Sequence, residues 1–277
     1  MAAAAARVAF ITGGAQGIGR ATANKLASRG ISIVLADQNA ERGHAAAKDV
    51  ASQFGVKTKF VKVDVTQEQQ VKDGIGEALK LTGRLDYAAN CAGICESVWE
   101  GEEDVTVELY DKTLAINTKG LWLCQKHQAL QMRKQDPVSI STTPAPRHAI
   151  PGQRGSIANI CSISGLHAAG LAAYTASKYA AVGVTKTGAK FYGPDGVRIN
   201  GLCPGWTMTE MIIGSMGKEG TPGTKENNES PVAQKISLRR MGQPEEQANV
   251  LSFLLSDESS YMHGALLVTD GGFHDIR

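Results

Sequence analysis

Of the six tyrosines in this 277-residue chain, only Tyr174 has a lysine four positions on, Lys178. The intervening residues, Thr-Ala-Ser, lie in an alanine-rich stretch that reads as a helix, and side chains at i and i+4 share one helix face. A phenol ionises near pH 10 in water, and an ammonium beside it favours the phenolate. Such a pair can exchange a proton with a substrate oxygen near neutral pH. Taken alone, the spacing is also that of an ordinary amphipathic helix.

A second candidate lies near the start. Thr12-Gly-Gly-Ala-Gln-Gly-Ile-Gly19 follows an apolar run, Val8-Ala-Phe-Ile11, and precedes a helical pattern. Glycines at 13, 17 and 19 let the backbone turn sharply and approach a pyrophosphate, and the helix start supplies free N–H groups and positive dipole character. Gln16 and Ile18 belong to the same turn. Asp37 ends the next apolar run, 18 residues beyond Gly19. A carboxylate there can accept hydrogen bonds from ribose hydroxyls and repels a 2′-phosphate. The two positions where a phosphate-reading base would sit hold Gln16 and Gln38, and Arg20 is on the helix. The expected cofactor is NAD, with NADP as the less favoured alternative.

The elements that must position these groups alternate along the chain. Strands are expected at 8–11, 31–36, 59–63, 85–89, 156–160, 197–202 and 265–268. Helices are expected at 18–29, 40–53, 67–81, 103–113, 118–133, 172–192 and 244–256. Alternation of this kind predicts right-handed βαβ crossovers and a parallel sheet. The fold class is therefore α/β, a Rossmann-type doubly wound sheet of about seven strands with helices on both faces. No linker divides it, so one domain spans 1–277, with a cofactor-binding half at about 7–120 and a catalytic and substrate half at about 121–277. Residues 133–155 hold four of the nine prolines and read as an inserted surface loop. The Gly-rich, polar stretch 214–231 falls in a segment, 206–232, that reads as a lid.

Bulk properties narrow the partners. The net charge is +2, from 29 basic and 27 acidic residues, which gives no reason to expect nucleic acid or an acidic membrane surface. No run of about 18 apolar residues is present, and Met1–Ala6 lacks a basic leader pattern. The expectation is a cytoplasmic protein acting on a small molecule. The five cysteines, 91, 95, 124, 161 and 203, are odd in number and scattered. They read as small apolar residues in a reducing compartment rather than a disulfide framework. Neither they nor the histidines have zinc-ligand spacing, so no metal site is expected.

Further elements occur in order: Asn90-Cys-Ala-Gly93, Asn117, Ser162, and Pro204-Gly205. With TGxxxGxG and YxxxK, this set resembles the short-chain dehydrogenase/reductase family over nearly the whole chain, from about Val8 to Gly272. The resemblance implies roles. Tyr174 is the general acid/base, and Lys178 tunes it and binds the nicotinamide ribose. Ser162, preferred to Ser164, orients the substrate oxygen, and Asn117 holds a water in a proton relay to Lys178. Asp64 and Val65 lie beside the adenine. Asn90 and Gly93 line the cofactor, and Thr207 and Thr209 after Pro204 meet the carboxamide. Cys91 departs from the family, which often has a second asparagine there. A homo-oligomer, tetramer or dimer, is also implied, with the 172–192 helix at an interface.

The segment Trp206-Thr-Met-Thr-Glu-Met-Ile-Ile213 would cover the substrate, with Trp206 and Met211 as contacts and Met216, Trp99 and His167 as further wall. Its apolar, adaptable side chains suit a bulky alcohol or ketone, such as a terpenoid, steroid-like or polyketide ring, as in secondary metabolism. The resulting expectation is an NAD-dependent oxidoreductase acting on a secondary alcohol or ketone. The alternatives are an NADPH-dependent ketoreductase of biosynthesis and a non-catalytic dinucleotide-binding regulator.

Overall fold

The computed structural model describes residues 7–95, 102–168, 171–215 and 231–274, with residues 213–215 in backbone only. Trp99, Met216 and most of the expected lid fall outside the described residues.

Seven parallel strands form one sheet in the order β3-β2-β1-β4-β5-β6-β7. They are β1 (Val8–Thr12), β2 (Ser32–Asp37), β3 (Thr58–Lys62), β4 (Tyr87–Asn90), β5 (Gly155–Ile160), β6 (Val197–Pro204) and β7 (Leu266–Thr269). The strand order reverses between β1 and β4, which leaves a crevice at their carboxyl ends. This is the doubly wound Rossmann-type architecture that the alternation of apolar runs implies.

Period-two alternation explains why the central strands read as continuous apolar runs. Val8 and Phe10 face one layer with Val71 and Ile75 of α3 (Glu68–Thr82) and with Cys124, Ala129 and Met132 of α5 (Leu121–Met132). Ala9 and Ile11 face the other, with Ala23 and Leu26 of α1 (Gly17–Ala27) and Leu251, Leu254 and Leu255 of α9 (Pro244–Leu255). A strand covered on both faces has no polar side to show. The second layer also includes α2 (Ala40–Phe54), started by Asn39, whose side chain accepts from Arg42 N.

Two expected helices differ from the reading. Glu102–Asp104 is a single 3₁₀ turn, and α4 (Val107–Leu114) begins after it, where Thr106 Oγ1 accepts from Leu109 N. The expected break between 113 and 118 is instead a π-helical turn, Ala115–Gly120, which carries α4 into α5 without interruption. The helix 172–192 is found as α6 (Ala172–Tyr192), followed after β6 by α7 (Glu210–Ser215) and α8 (Pro231–Lys235).

The proline-rich 133–155 stretch has no regular element before β5. A bridge between Val138 and Gln153 closes it on itself. Asp257 pins it at the amino ends of the strands, away from the crevice, by accepting from Ser141 N and Gln153 Nε2.

Candidate active site

A cleft of about 280 Å³ lies along the carboxyl ends of the strands. Its wall includes Gly13, Gln16, Gly17, Ile18, Gly19, Asp37, Asp64, Val65, Gly93, Ser162, Tyr174, Lys178, Pro204, Thr207, Thr209 and Met211, all singled out in the sequence. Asn90, Asn117 and Trp206 are not part of that wall.

At one end the glycine turn forms a cradle. Gly17 takes a left-handed backbone conformation, φ 53°. A Cβ on Gly19 would stand 2.2 Å from the Gly13 carbonyl oxygen, so only hydrogen fits there. The turn thereby brings backbone close to whatever occupies the cleft at the start of α1, where N–H groups and the helix dipole favour an anion. Asp37 stands beside it. Its two carboxylate oxygens accept from Ala15 N at 3.1 Å and Asn39 N at 3.0 Å, which locks the side chain between the turn and α2. Arg20 points elsewhere, to the Ala46 carbonyl and Asp49. Arg42, which no sequence spacing marks, reaches from the first turn of α2 to hydrogen-bond Gln16 Oε1.

Farther along, Asp64 Oδ1 accepts from Thr66 N and Oγ1, fixing the turn after β3. The residues fit a dinucleotide: a cradle that a single Cβ would fill, a held carboxylate, and a continuous wall toward Tyr174.

At the other end, α6 presents Tyr174 and Lys178 on one face. Lys178 is buried, with 4% of the residue exposed; its ammonium donates to the Ile160 carbonyl at 3.1 Å and stands 5.4 Å from the Tyr174 ring centroid. Burial lowers its pKa below the ordinary lysine range, partly offset by the surrounding cysteines 161, 95, 203 and 91. Ser162 follows β5 and caps the short turn Ile163–Gly165, its Oγ accepting from Ser164 N at 3.0 Å. Ser162 lines the cleft and Ser164 does not.

Asn117 sits in the π turn behind Gly93. Its Oδ1 accepts from Ile94 N at 2.9 Å, while Nδ2 donates to the Ile94 carbonyl at 2.8 Å and to Ser177 Oγ at 3.0 Å. The amide therefore clamps the chain after β4 against α6. A Cβ on Gly93 would lie 3.2 Å from Asn117 Oδ1 and 3.7 Å from Lys178 Nζ, so the three meet at one point.

Asn90 is placed differently from the reading. Its side chain turns into the layer between sheet and α5, donating to Gln128 Oε1 and Asn159 Oδ1 and accepting from Gln128 Nε2. Asn159 in turn donates to Gln125 Oε1 and Thr185 Oγ1. The reason is position: the alternation that sends Ala88 to this layer sends Asn90 there too. Cys91 does line the cleft, with burial pushing its thiol up to about 12. Trp206 stands just outside, edge-on to Phe273 with centroids 6.5 Å apart.

Comparisons with known proteins agree with this geometry. The sequence profile described as Enoyl-(Acyl carrier protein) reductase matches residues 13–274. The chain is 35% identical to the short-chain dehydrogenase fogB of Aspergillus ruber, covering 95% of each chain. It is 33% identical to the 2,5-dichloro-2,5-cyclohexadiene-1,4-diol dehydrogenase of Sphingobium indicum, covering 96% of each. Among solved structures, levodione reductase superposes with a TM-score of 0.83 at 31% identity, covering 98% of both chains. On this fold, this cleft and this similarity, the chain belongs to the short-chain dehydrogenase/reductase family and is an oxidoreductase acting on a CH–OH group with NAD or NADP.

Proposed function

We propose that the protein is an NAD-dependent dehydrogenase of ring-bearing secondary alcohols, or reductase of the matching ketones. The observation that carries this is the single cleft joining the glycine cradle and Asp37 to Tyr174, Lys178 and Ser162. Gly13, Gly17 and Gly19 would hold the diphosphate, Asp37 the adenosine ribose, Asp64 and Val65 the adenine, and Lys178 the nicotinamide ribose. Pro204, Thr207 and Thr209 would border the carboxamide. When bound, the nicotinamide accepts or returns the hydride.

The chain's own residues manage the proton. Ser162 Oγ donates to the substrate oxygen and orients it. In oxidation Tyr174 takes the hydroxyl proton, and in reduction it gives the proton back. The buried ammonium of Lys178 stabilises the phenolate, with more force in this water-poor pocket than in bulk solvent. Asn117, through its grip on Ile94, keeps the wall behind Lys178 in register and holds the relay that reloads Tyr174.

The substrate end is apolar, with Met211 and Ile212 in the wall. The Sphingobium relative is a dehydrogenase of a cyclohexadiene diol, which supports a ring substrate; a place in secondary metabolism is part of the same proposal. Tyr110, Trp122 and Tyr179, large and exposed on the α4–α6 side, support a homo-oligomer, tetramer or dimer. A cytoplasmic location is part of the proposal; among the described residues no helix is long and apolar enough to cross a membrane.

Arg42 favours a second reading, in which NADP serves. Released from Gln16, its guanidinium could meet a 2′-phosphate. Initial rates with NAD and NADP separate the two: the Asp37 carboxylate predicts faster turnover with NAD. Tyr174→Phe should lower kcat by about a hundredfold or more and leave NAD affinity unchanged. Retained turnover in that variant would remove Tyr174 from the mechanism.

A further inference from the structure

We infer that Glu210 governs cofactor exchange: its carboxylate faces the diphosphate position at the glycine turn, holds dinucleotide affinity down and speeds release. This rests on the cofactor site proposed above and adds to it a charge that opposes binding.

Two walls of the cleft meet at this point. The helix α1 begins at Gly17, with no side-chain cap from Gln16 and no acidic residue in its first turn. The N–H groups of that turn are left for an anion. The segment after β6 crosses to the same place. A Cβ built on Gly17 would lie 3.3 Å from Thr209 Cγ2 and 3.6 Å from Glu210 Oε2. A carboxylate oxygen therefore stands against the first residue of α1, supplied from a distant part of the chain. Glu210 lines the cleft between Thr209 and Met211 and is otherwise exposed.

The other charges of the cleft do not offset it. Among the described residues of the wall, Lys178 is the one basic side chain, and Asp37, Asp64 and Glu210 are the acids. Lys178 belongs to the Tyr174 end. Asp37 is tied to Ala15 N and Asn39 N, and Asp64 to Thr66, both at the adenosine end. Attraction for a diphosphate thus comes from backbone N–H groups and the dipole of α1, with Glu210 acting against it.

The carboxylate and the diphosphate seek the same N–H groups and repel each other. At this range a like charge lowers the affinity of an anion several-fold even in partly hydrated surroundings. A dinucleotide that must leave after each turnover gains from such a charge, because a tighter complex dissociates more slowly. Glu210 is also the first residue of α7, whose own start favours an acid. That local role alone has no bearing on which ligand binds, and the test separates the two.

ADP and adenosine are titrated calorimetrically into the wild type and into Glu210→Gln, which keeps the shape and removes the charge, at about 0.05 M and about 1 M NaCl. At low salt the variant should bind ADP about five- to tenfold more tightly. At high salt, where the repulsion is screened, the gain should shrink to about twofold or less. Adenosine carries no phosphate, so its Kd should stay within about twofold of the wild-type value at either salt. Release of NADH, followed by its fluorescence on displacement with excess NAD, should slow by about the same factor as the gain in ADP affinity. Unchanged or weaker ADP binding, equal gains for ADP and adenosine, a gain undiminished by salt, or unchanged NADH release would overturn the inference. The full charge effect on ADP, in a wild type that oxidises no alcohol, would keep Glu210 in this role and defeat the proposed dehydrogenase activity instead.

Discussion

Replacing Gly19 by alanine tests whether the turn after β1 is a packed phosphate cradle. The added Cβ would sit 2.2 Å from the Gly13 carbonyl oxygen and 2.8 Å from its carbon. Both contacts are backbone, so no side chain can swing away. To reach ordinary contact the turn must open by about 1 Å, and overpacking of this kind costs about 1–3 kcal/mol. Alanine returns up to about 1 kcal/mol of helix propensity at the start of α1. The net loss is therefore about 0–2 kcal/mol, or up to roughly 4 °C in Tm for a chain of this size. Binding should suffer more than folding. An N–H displaced by about 1 Å loses its charge-assisted bond to phosphate, each worth about 1.5–3 kcal/mol, so the Kd for ADP should rise at least tenfold. Gly76, inside α3, is the control, because nothing lies within 4 Å of a Cβ built there. Gly76→Ala should raise Tm by about 1–2 °C through helix propensity and leave ADP binding unchanged. Calorimetric titration with ADP and a thermal melt read both. Wild-type ADP affinity in Gly19→Ala would refute the reasoning, since a turn indifferent to that methyl is not the anion site.

Three further outcomes follow from the polar groups around the cleft. Lys178→Met should lower kcat/KM by about a hundredfold or more, as expected when an acid/base group loses its tuning charge. Its Tm should move little, because relief of ammonium desolvation offsets the Ile160 carbonyl's lost donor; this is read by steady-state kinetics beside a melt. Asn90→Ala should cost about 2–4 kcal/mol in urea unfolding, because Gln128 and Asn159 are left with unmatched buried amides, while ADP affinity is retained. Glu246 accepts from Arg240 and from Gln243 N at the start of α9, which holds its pKa down at about 2 from 4.5. Its folded pKa is depressed, so its stabilisation is complete above pH 4.5 and is lost as pH falls toward 2. The carboxylate is well exposed, so the loss is at most about 1 kcal/mol, and Glu246→Gln should flatten the acid limb of Tm against pH in that window.

Much of this was legible in the residues because strand and helix periods differ and the sheet is covered on both faces. Val8–Thr12 could not be mistaken for an exposed strand, and Pro-rich 133–155 could not hold a helix. The π turn was not legible. It is a shift of hydrogen-bond register inside a continuous helix, and the contact that accompanies it, Asn117 with Ile94, spans 23 residues. Asn90 misled because a motif position says nothing about which face of the strand its side chain takes. Arg42 escaped because its partner, Gln16, lies across a crossover. Glu210 escaped because the turn it meets, at Gly17, is far away in sequence.

The π turn has a consequence for how this scaffold tolerates insertions and deletions. A π turn amounts to one residue too many for the helix in which it lies. Removing a single residue between Ala115 and Gly120 would let α4 and α5 fuse into a regular rod, with better backbone bonding along its length. The flanking helices would keep their faces, and the displacement would fall on the residues of the turn itself, which move from the wide path onto the regular helical one. Asn117 would then swing off the loop after β4, and the chain would exchange a working clamp for a straighter, more stable helix. This turn is therefore a place where a shorter sequence would be better folded and worse at its task.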